Sequence, residues 1–175
     1  MPDQILSTEQ VYSGRAVNLR IETIEKADGR KTTREIVEHA DCIAVVPIDE
    51  HNSVVMVKQY REAVKKTLLE IPAGGIDASE IPDEAVIREL QEEIGLLPQN
   101  IERIGGFYAT PGYGTEYLYL YLATDLTPGR LVAEDTEEIE VVRVPLSRIP
   151  SLIASGEICD AKSIAGLLTA IHLKR

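Results

Sequence analysis

A mixed α/β sandwich with a small antiparallel sheet at its N-terminus is the fold class this sequence predicts, from three observations. Apolar, β-branched runs of strand length recur on both sides of one acidic helix, a short strand feeds that helix directly, and an amphipathic helix closes the chain. The length, 175 residues with 44% hydrophobic content, suffices for one substantial core and not for two full domains. The expected organisation is an N-terminal β extension over residues 1–40 and a main domain over 41–175.

Each element has its own reason. The alternation of Ala16, Val17, Asn18, Leu19, Arg20, Ile21 and Glu22 predicts a half-exposed strand within an extended region over 9–38. Asp28-Gly29 predicts a hairpin turn before a strand over 34–37. The runs 42–48 and 54–57 are nearly all apolar, which predicts buried strands joined by a turn at His51-Asn52. A short strand over 68–71 leads through Pro72-Ala73 into paired glycines. The helix follows over 82–94. Pro82 suits its first turn, Asp83 and Glu84 sit at the positive end of its dipole, and Gly95 stops it. Residues 101–108 and 116–123 are strand candidates around a loop containing Thr110, Pro111, Gly112 and Gly114. An acidic stretch over 133–140 precedes a strand over 141–144. A short helix over 150–154 is followed by one capped by Asp160, with Ile164, Ala165, Leu167, Leu168 and Ile171 at helical spacing.

The formal net charge of −11 argues against nucleic acid or an anionic membrane as a bulk electrostatic partner. No segment approaches the roughly 18 to 20 apolar residues needed to span a bilayer, and MPDQILSTEQ holds no stretch of signal length, so the expectation is a soluble, cytoplasmic protein. Cys42 and Cys159 are too few for a disulfide framework and are expected as core or near-core thiols. His39, His51 and His172 lack metal-ligand spacing and read as structural or solvated.

Chemistry concentrates on the helix. Glu89, Glu92 and Glu93 stand at i, i+3 and i+4 and share one face, where their like charges repel unless a cation compensates. Oxygen-only ligands select a hard divalent ion, magnesium or manganese. The competing interpretation is a solvated acidic face, with Arg88 in an i, i+4 pair with Glu84 or Glu92.

The series Gly74, five residues, Glu80, seven residues, Arg88-Glu89-Leu90, one residue, Glu92-Glu93, one residue, Gly95-Leu96 fills every specified position of the Nudix box. On these residues the chain resembles the Nudix hydrolases, which act on a nucleoside diphosphate linked to another group. The resemblance implies a Nudix α/β/α sandwich with a mixed central sheet. It also implies Glu89 and Glu93 as main metal ligands, Glu92 as a further one, the Ala73 carbonyl completing the site, Arg88 orienting a glutamate and Glu80 tying the loop to the helix, a solvated loop glutamate being the alternative for Glu80.

Lys58-Gln59-Tyr60-Arg61, followed by Leu69-Glu70-Ile71-Pro72-Ala73-Gly74, is similar to the segment before the box in ADP-ribose pyrophosphatases. The similarity implies that Arg61 pairs with the diphosphate, a surface salt bridge being the alternative. Thr110-Pro111-Gly112 resembles the Ser-Pro-Gly loop of that subfamily, with threonine in place of the more usual serine, and implies substrate contacts at Pro111 and Gly112. Glu116 matches an acidic residue that contacts the terminal ribose, or is a plain cross-strand charge. Glu134-Asp135-Thr136-Glu137-Glu138-Ile139 resembles the acidic loop that delivers a metal-linked base. It implies Glu137 in that role, with Asp135 at a second acidic position and Glu92 as fallback, a plainly solvated acidic loop being the alternative. Arg34-Glu35-Ile36-Val37-Glu38-His39 resembles the strand of N-terminal sheets that exchange between two subunits and help hold adenine. A homodimer is implied, with Arg34 and Glu35 toward substrate and Tyr12 or Arg15 stacked on the base.

The implied activity is magnesium-dependent hydrolysis of ADP-ribose to AMP and ribose 5-phosphate. The rival substrate is another nucleoside diphosphate sugar such as GDP-mannose. A non-catalytic nucleotide sensor on the same fold is the rival class, and the intact Glu89, Glu92 and Glu93 count against it.

Overall fold

Asp28-Gly29 makes the predicted turn in the computed structural model, which describes residues 3–132 and 138–173. Gly29 takes φ +82°, its N–H donates to the Lys26 carbonyl at 2.8 Å, and the Asp28 carboxylate accepts from the Arg30 backbone and guanidinium. The turn joins β2 (Asn18–Glu25) to β3 (Lys31–Glu38). The extended region begins earlier than the alternation predicts: β1 (Gln4–Ser13) pairs antiparallel with β2, with two bulges. Every residue of β1 is exposed, so no buried face writes a period-2 pattern into it.

The chain divides into two units, Met1–Asp41 with Tyr108–Tyr117, and Cys42–Phe107 with Leu118–Arg175. In the first, the segment after Tyr108 is tied to β3. The Val37 N–H donates to the Tyr113 carbonyl at 2.8 Å, the Thr115 N–H to the Val37 carbonyl at 3.0 Å, and the His39 N–H to Thr115 Oγ1 at 3.0 Å.

The second unit holds two sheets. One runs in the order β7 (Ala73–Gly75), β4 (Cys42–Pro47), β9 (Tyr117–Pro128), β8 (Leu96–Tyr108), with β4 and β9 parallel and β4 and β7 antiparallel. The other runs β10 (Glu140–Pro145), β5 (Ser53–Arg61), β6 (Lys66–Glu70), antiparallel throughout. β4 is buried along its whole length, as its continuous apolar run predicts. Ile43 and Val45 pack with Ala85, Val86 and Leu90 of the acidic helix. Val46 faces α3 (Ala161–Leu173), where Gly166 permits close approach; a Cβ there would lie 3.2 Å from Val46 and 2.9 Å from Ile71. Helices therefore cover both faces of this strand, the α/β/α arrangement expected.

Three expectations need correction. The helix over 82–94 is α-helical only over α1 (Pro82–Glu89) and continues as a π turn over Leu90–Ile94. β8 starts at Leu96 rather than 101, because Pro98, Gln99 and Asn100 look like a loop, yet Asn100 bonds Asp125 and Thr127 bonds the Leu97 carbonyl. Cys42 is buried as expected, but Cys159 is exposed, one residue after the buried Ile158. The short helix α2 (Ile149–Ser155) forms as predicted. The Asp160 carboxylate accepts the Ser163 N–H at 3.1 Å, the predicted cap of α3.

Candidate active site

Arg88 organises the acidic helix. Its Nε and Nη2 each donate to Glu80 at 2.9 Å, Nη1 donates to Glu89 at 2.7 Å and Glu92 at 3.1 Å, and Nη2 also reaches the Gly75 carbonyl at 2.9 Å. A planar guanidinium can satisfy this many acceptors at once; an ammonium cannot. Hydrogen bonding to Glu80 leads the causes that raise the Arg88 pKa, and the same bond holds Glu80 below its ordinary range. Glu80 also accepts the Asp77 N–H, so it ties the glycine loop to the helix. The pair with Glu92 exists, but as one of several contacts. Glu84 instead turns back to accept the Ile81 N–H at the helix start.

The π turn comes where the carboxylates cluster. Its wider winding is closed by Gly95 at φ +71°, whose N–H donates to the Leu90 carbonyl. Glu89 and Glu93 are buried, 9% and 8% exposed, while Glu92 is half-buried. Gly74 makes the room: a Cβ there would lie 1.9 Å from an Oε of Glu89. Glu93 accepts the Ala73 N–H at 3.2 Å. Burial, then the charge of Glu89, pushes Glu93 up to about 8, against the pull of the Ala73 N–H, Arg61 and Lys162. Burial also raises Glu89, partly offset by Arg88. Two nearly buried carboxylates with raised pKa values and an all-oxygen donor set fit a hard divalent cation, which removes both penalties. Arg88 engages one oxygen each of Glu89 and Glu92, which leaves the second oxygen of each carboxylate outside that contact.

Arg61 meets Glu70, a residue the sequence reading did not single out. Nε lies 3.1 Å and Nη2 2.5 Å from Glu70 Oε2. Glu70 is 2% exposed, and the same Oε2 lies 2.9 Å from Lys162 Nζ, which in turn lies 2.9 Å from Asp160 Oδ1. The available signal was a lone carboxylate inside the apolar run Leu68-Leu69-Glu70-Ile71, which needs a buried cation to be tolerated.

The remaining predicted substrate residues lie in the first unit. Pro111 and Gly112 occupy an exposed turn closed by Thr110, whose carbonyl accepts the Tyr113 and Gly114 N–H groups. Glu116 is half-buried, 3.8 Å from His39. Arg34 and Glu35 are exposed on β3. Arg15 lines a cavity of about 370 Å³ with Asn18, Glu38 and His39, and the Tyr12 ring covers Gly14. Glu137 and Asp135 lie outside the described residues. No helix among the described residues is long and apolar enough to cross a membrane.

The sequence profile of the NUDIX domain matches residues 38–167. The chain is similar to an ADP-ribose pyrophosphatase of Bacillus subtilis (strain 168), 33% identical over 93% of this chain and 89% of that one. It is also similar to a methanol dehydrogenase activator of Bacillus methanolicus, 34% identical over the same shares. The crystal structure of an ADP compounds hydrolase superposes with a TM-score of 0.91 at 23% identity, covering 99% of this chain and 94% of that one, which is a likeness of fold. With its box complete and folded around Arg88 and the buried Glu89 and Glu93, the chain belongs to the Nudix family.

Proposed function

We propose that this protein hydrolyses the diphosphate of ADP-ribose to AMP and ribose 5-phosphate, with magnesium as its ion and manganese as a substitute. The observation that carries this reading is the buried pair Glu89 and Glu93, accommodated by Gly74 beside an arginine that fixes the loop. The substrate assignment draws on the similarity to the Bacillus subtilis enzyme and on the segments around Arg61 and Pro111.

Glu89, Glu92, Glu93 and the Ala73 carbonyl would hold the ion. When bound, a divalent ion neutralises phosphoryl oxygens and makes a water acidic enough to attack at neutral pH. Arg61 binds the diphosphate, and Arg88 restrains Glu89 and Glu92. Glu137 accepts the proton of the attacking water, with Glu92 as the alternative base. Pro111, Gly112 and Glu116 contact the sugar, and Arg34 and Glu35 contribute on the adenine side. Glu137→Gln should lower kcat about 100-fold while changing KM less than about threefold. Steady-state kinetics would remove Glu137 from the base role if KM alone moved.

The reading includes a homodimer. It is supported by β1, an edge strand that exposes Ile5, Leu6, Val11 and Tyr12. A cytoplasmic location is supported by two cysteines that remain free thiols.

The deciding experiment is product formation from ADP-ribose with magnesium, beside EDTA and Glu93→Gln controls and a nucleotide-sugar panel including GDP-mannose. AMP and ribose 5-phosphate, lost in both controls, would establish the activity. Comparable or faster turnover of GDP-mannose would reassign the substrate, and tight binding without turnover of anything would leave a sensor.

A further inference from the structure

The first turn of α3 carries a cation into the interior beside Arg61. Glu70 Oε2 accepts from both Arg61 Nη2 at 2.5 Å and Lys162 Nζ at 2.9 Å, so two cations fix the position of one oxygen. Lys162 is itself held by Asp160 Oδ1 at 2.9 Å. Independently, the buried Ser163 Oγ accepts the Ile71 N–H at 2.9 Å, which fastens the same helical turn to the residue after Glu70. The Nε and Nη2 edge of Arg61 is occupied by Glu70, while no described residue bonds its Nη1, and the side chain stays 38% exposed.

We propose that Lys162 is a positioning residue for substrate binding: acting through Glu70, it holds Arg61 with its Nη1 corner presented to a diphosphate oxygen. The inference rests on the assignment of Arg61 to the diphosphate. Two physical effects drive it. An arginine side chain loses considerable rotamer freedom when it binds, and prior fixation by Glu70 removes that cost from the binding step. Arg61, Lys162, Glu70 and Asp160 also sum to zero charge. Without Lys162 the cluster carries one net negative charge next to the arginine meant to receive an anion.

The test is steady-state kinetics on the full chain with ADP-ribose and magnesium, with melting temperatures recorded for each variant. At saturating magnesium, so that the lost pull of Lys162 on Glu93 does not limit metal binding, Lys162→Met should raise KM about tenfold with kcat within about twofold of wild type, and Lys162→Arg should recover most of the loss. The double variant Arg61→Ala/Lys162→Met should raise KM no further than Arg61→Ala alone, because both changes break one unit. Should Lys162→Met melt too low to assay, Lys162→Gln keeps a donor amide and reads the same loss of charge. An unchanged KM, a fall in kcat alone, failure of arginine to rescue, or full additivity with Arg61→Ala would each overturn the role of Lys162. An Arg61→Ala enzyme of unchanged KM would overturn the diphosphate assignment itself, and absence of turnover in wild type would overturn the proposed activity. These failures are distinct from a defect confined to Lys162.

Discussion

Gly74 matters for the space it leaves. An alanine there would set its methyl 1.9 Å from a Glu89 oxygen and 2.1 Å from its carboxyl carbon. The obstacle is the far end of a flexible side chain, so the fold can yield where the site cannot. Gly74→Ala should therefore keep its melting temperature within a few degrees while magnesium affinity, read by titration, falls at least about tenfold. Unchanged affinity would mean that the observed place of Glu89 is not where it works. At this scale the arrangement of the candidate site was largely legible. Gly74, Glu80, Arg88, Glu89, Glu92 and Glu93 are set by short fixed spacings that survive in a string of letters. The Glu70 pairing was not, because Arg61 lies 9 residues away and Lys162 arrives only with the closing helix.

Among elements, the helix of the box shows where periodicity stops informing. Buried Leu90 and Ile94 sit four apart, a spacing that an α turn and a π turn both satisfy over so short a stretch. Strands were legible in proportion to burial: β4, buried throughout, matches its predicted run, while only the part of the wholly exposed β1 from Glu9 onward falls in the predicted extended region. The join between α3 and the segment after β6 spans 92 residues and leaves no local trace. It is nonetheless energetically specific. Ser163→Ala would leave the buried Ile71 N–H without its acceptor, and should cost about 1–3 kcal/mol in denaturant unfolding. A loss below about 0.5 kcal/mol would show that this bond contributes little.

For the whole molecule, pH and metal should act together. Glu93 titrates near 8 when folded, against an ordinary 4.5, so the folded state holds a proton that the unfolded chain has released. Metal-free stability should therefore fall as pH rises through that window. Glu80, shifted the other way by Arg88, contributes stability that is lost only as pH drops below the ordinary glutamate range. Melting curves in EDTA should show a lower melting temperature at pH 8.5 than at pH 6. Magnesium should raise it more at the higher pH, because binding displaces the proton. Glu93→Gln should flatten both dependences; a magnesium increment independent of pH would contradict the buried-carboxylate account. One connection bears on how the chain can be cut. The turn bearing Pro111 and Gly112 draws its backbone partners from Val37, so its support comes from the far N-terminal side of the sequence. A truncation that removes the leading strands would therefore produce no minimal enzyme. It would leave the Tyr113 carbonyl and the Thr115 N–H without their Val37 partners, and would disturb the turn proposed to contact substrate, about 75 residues from the cut.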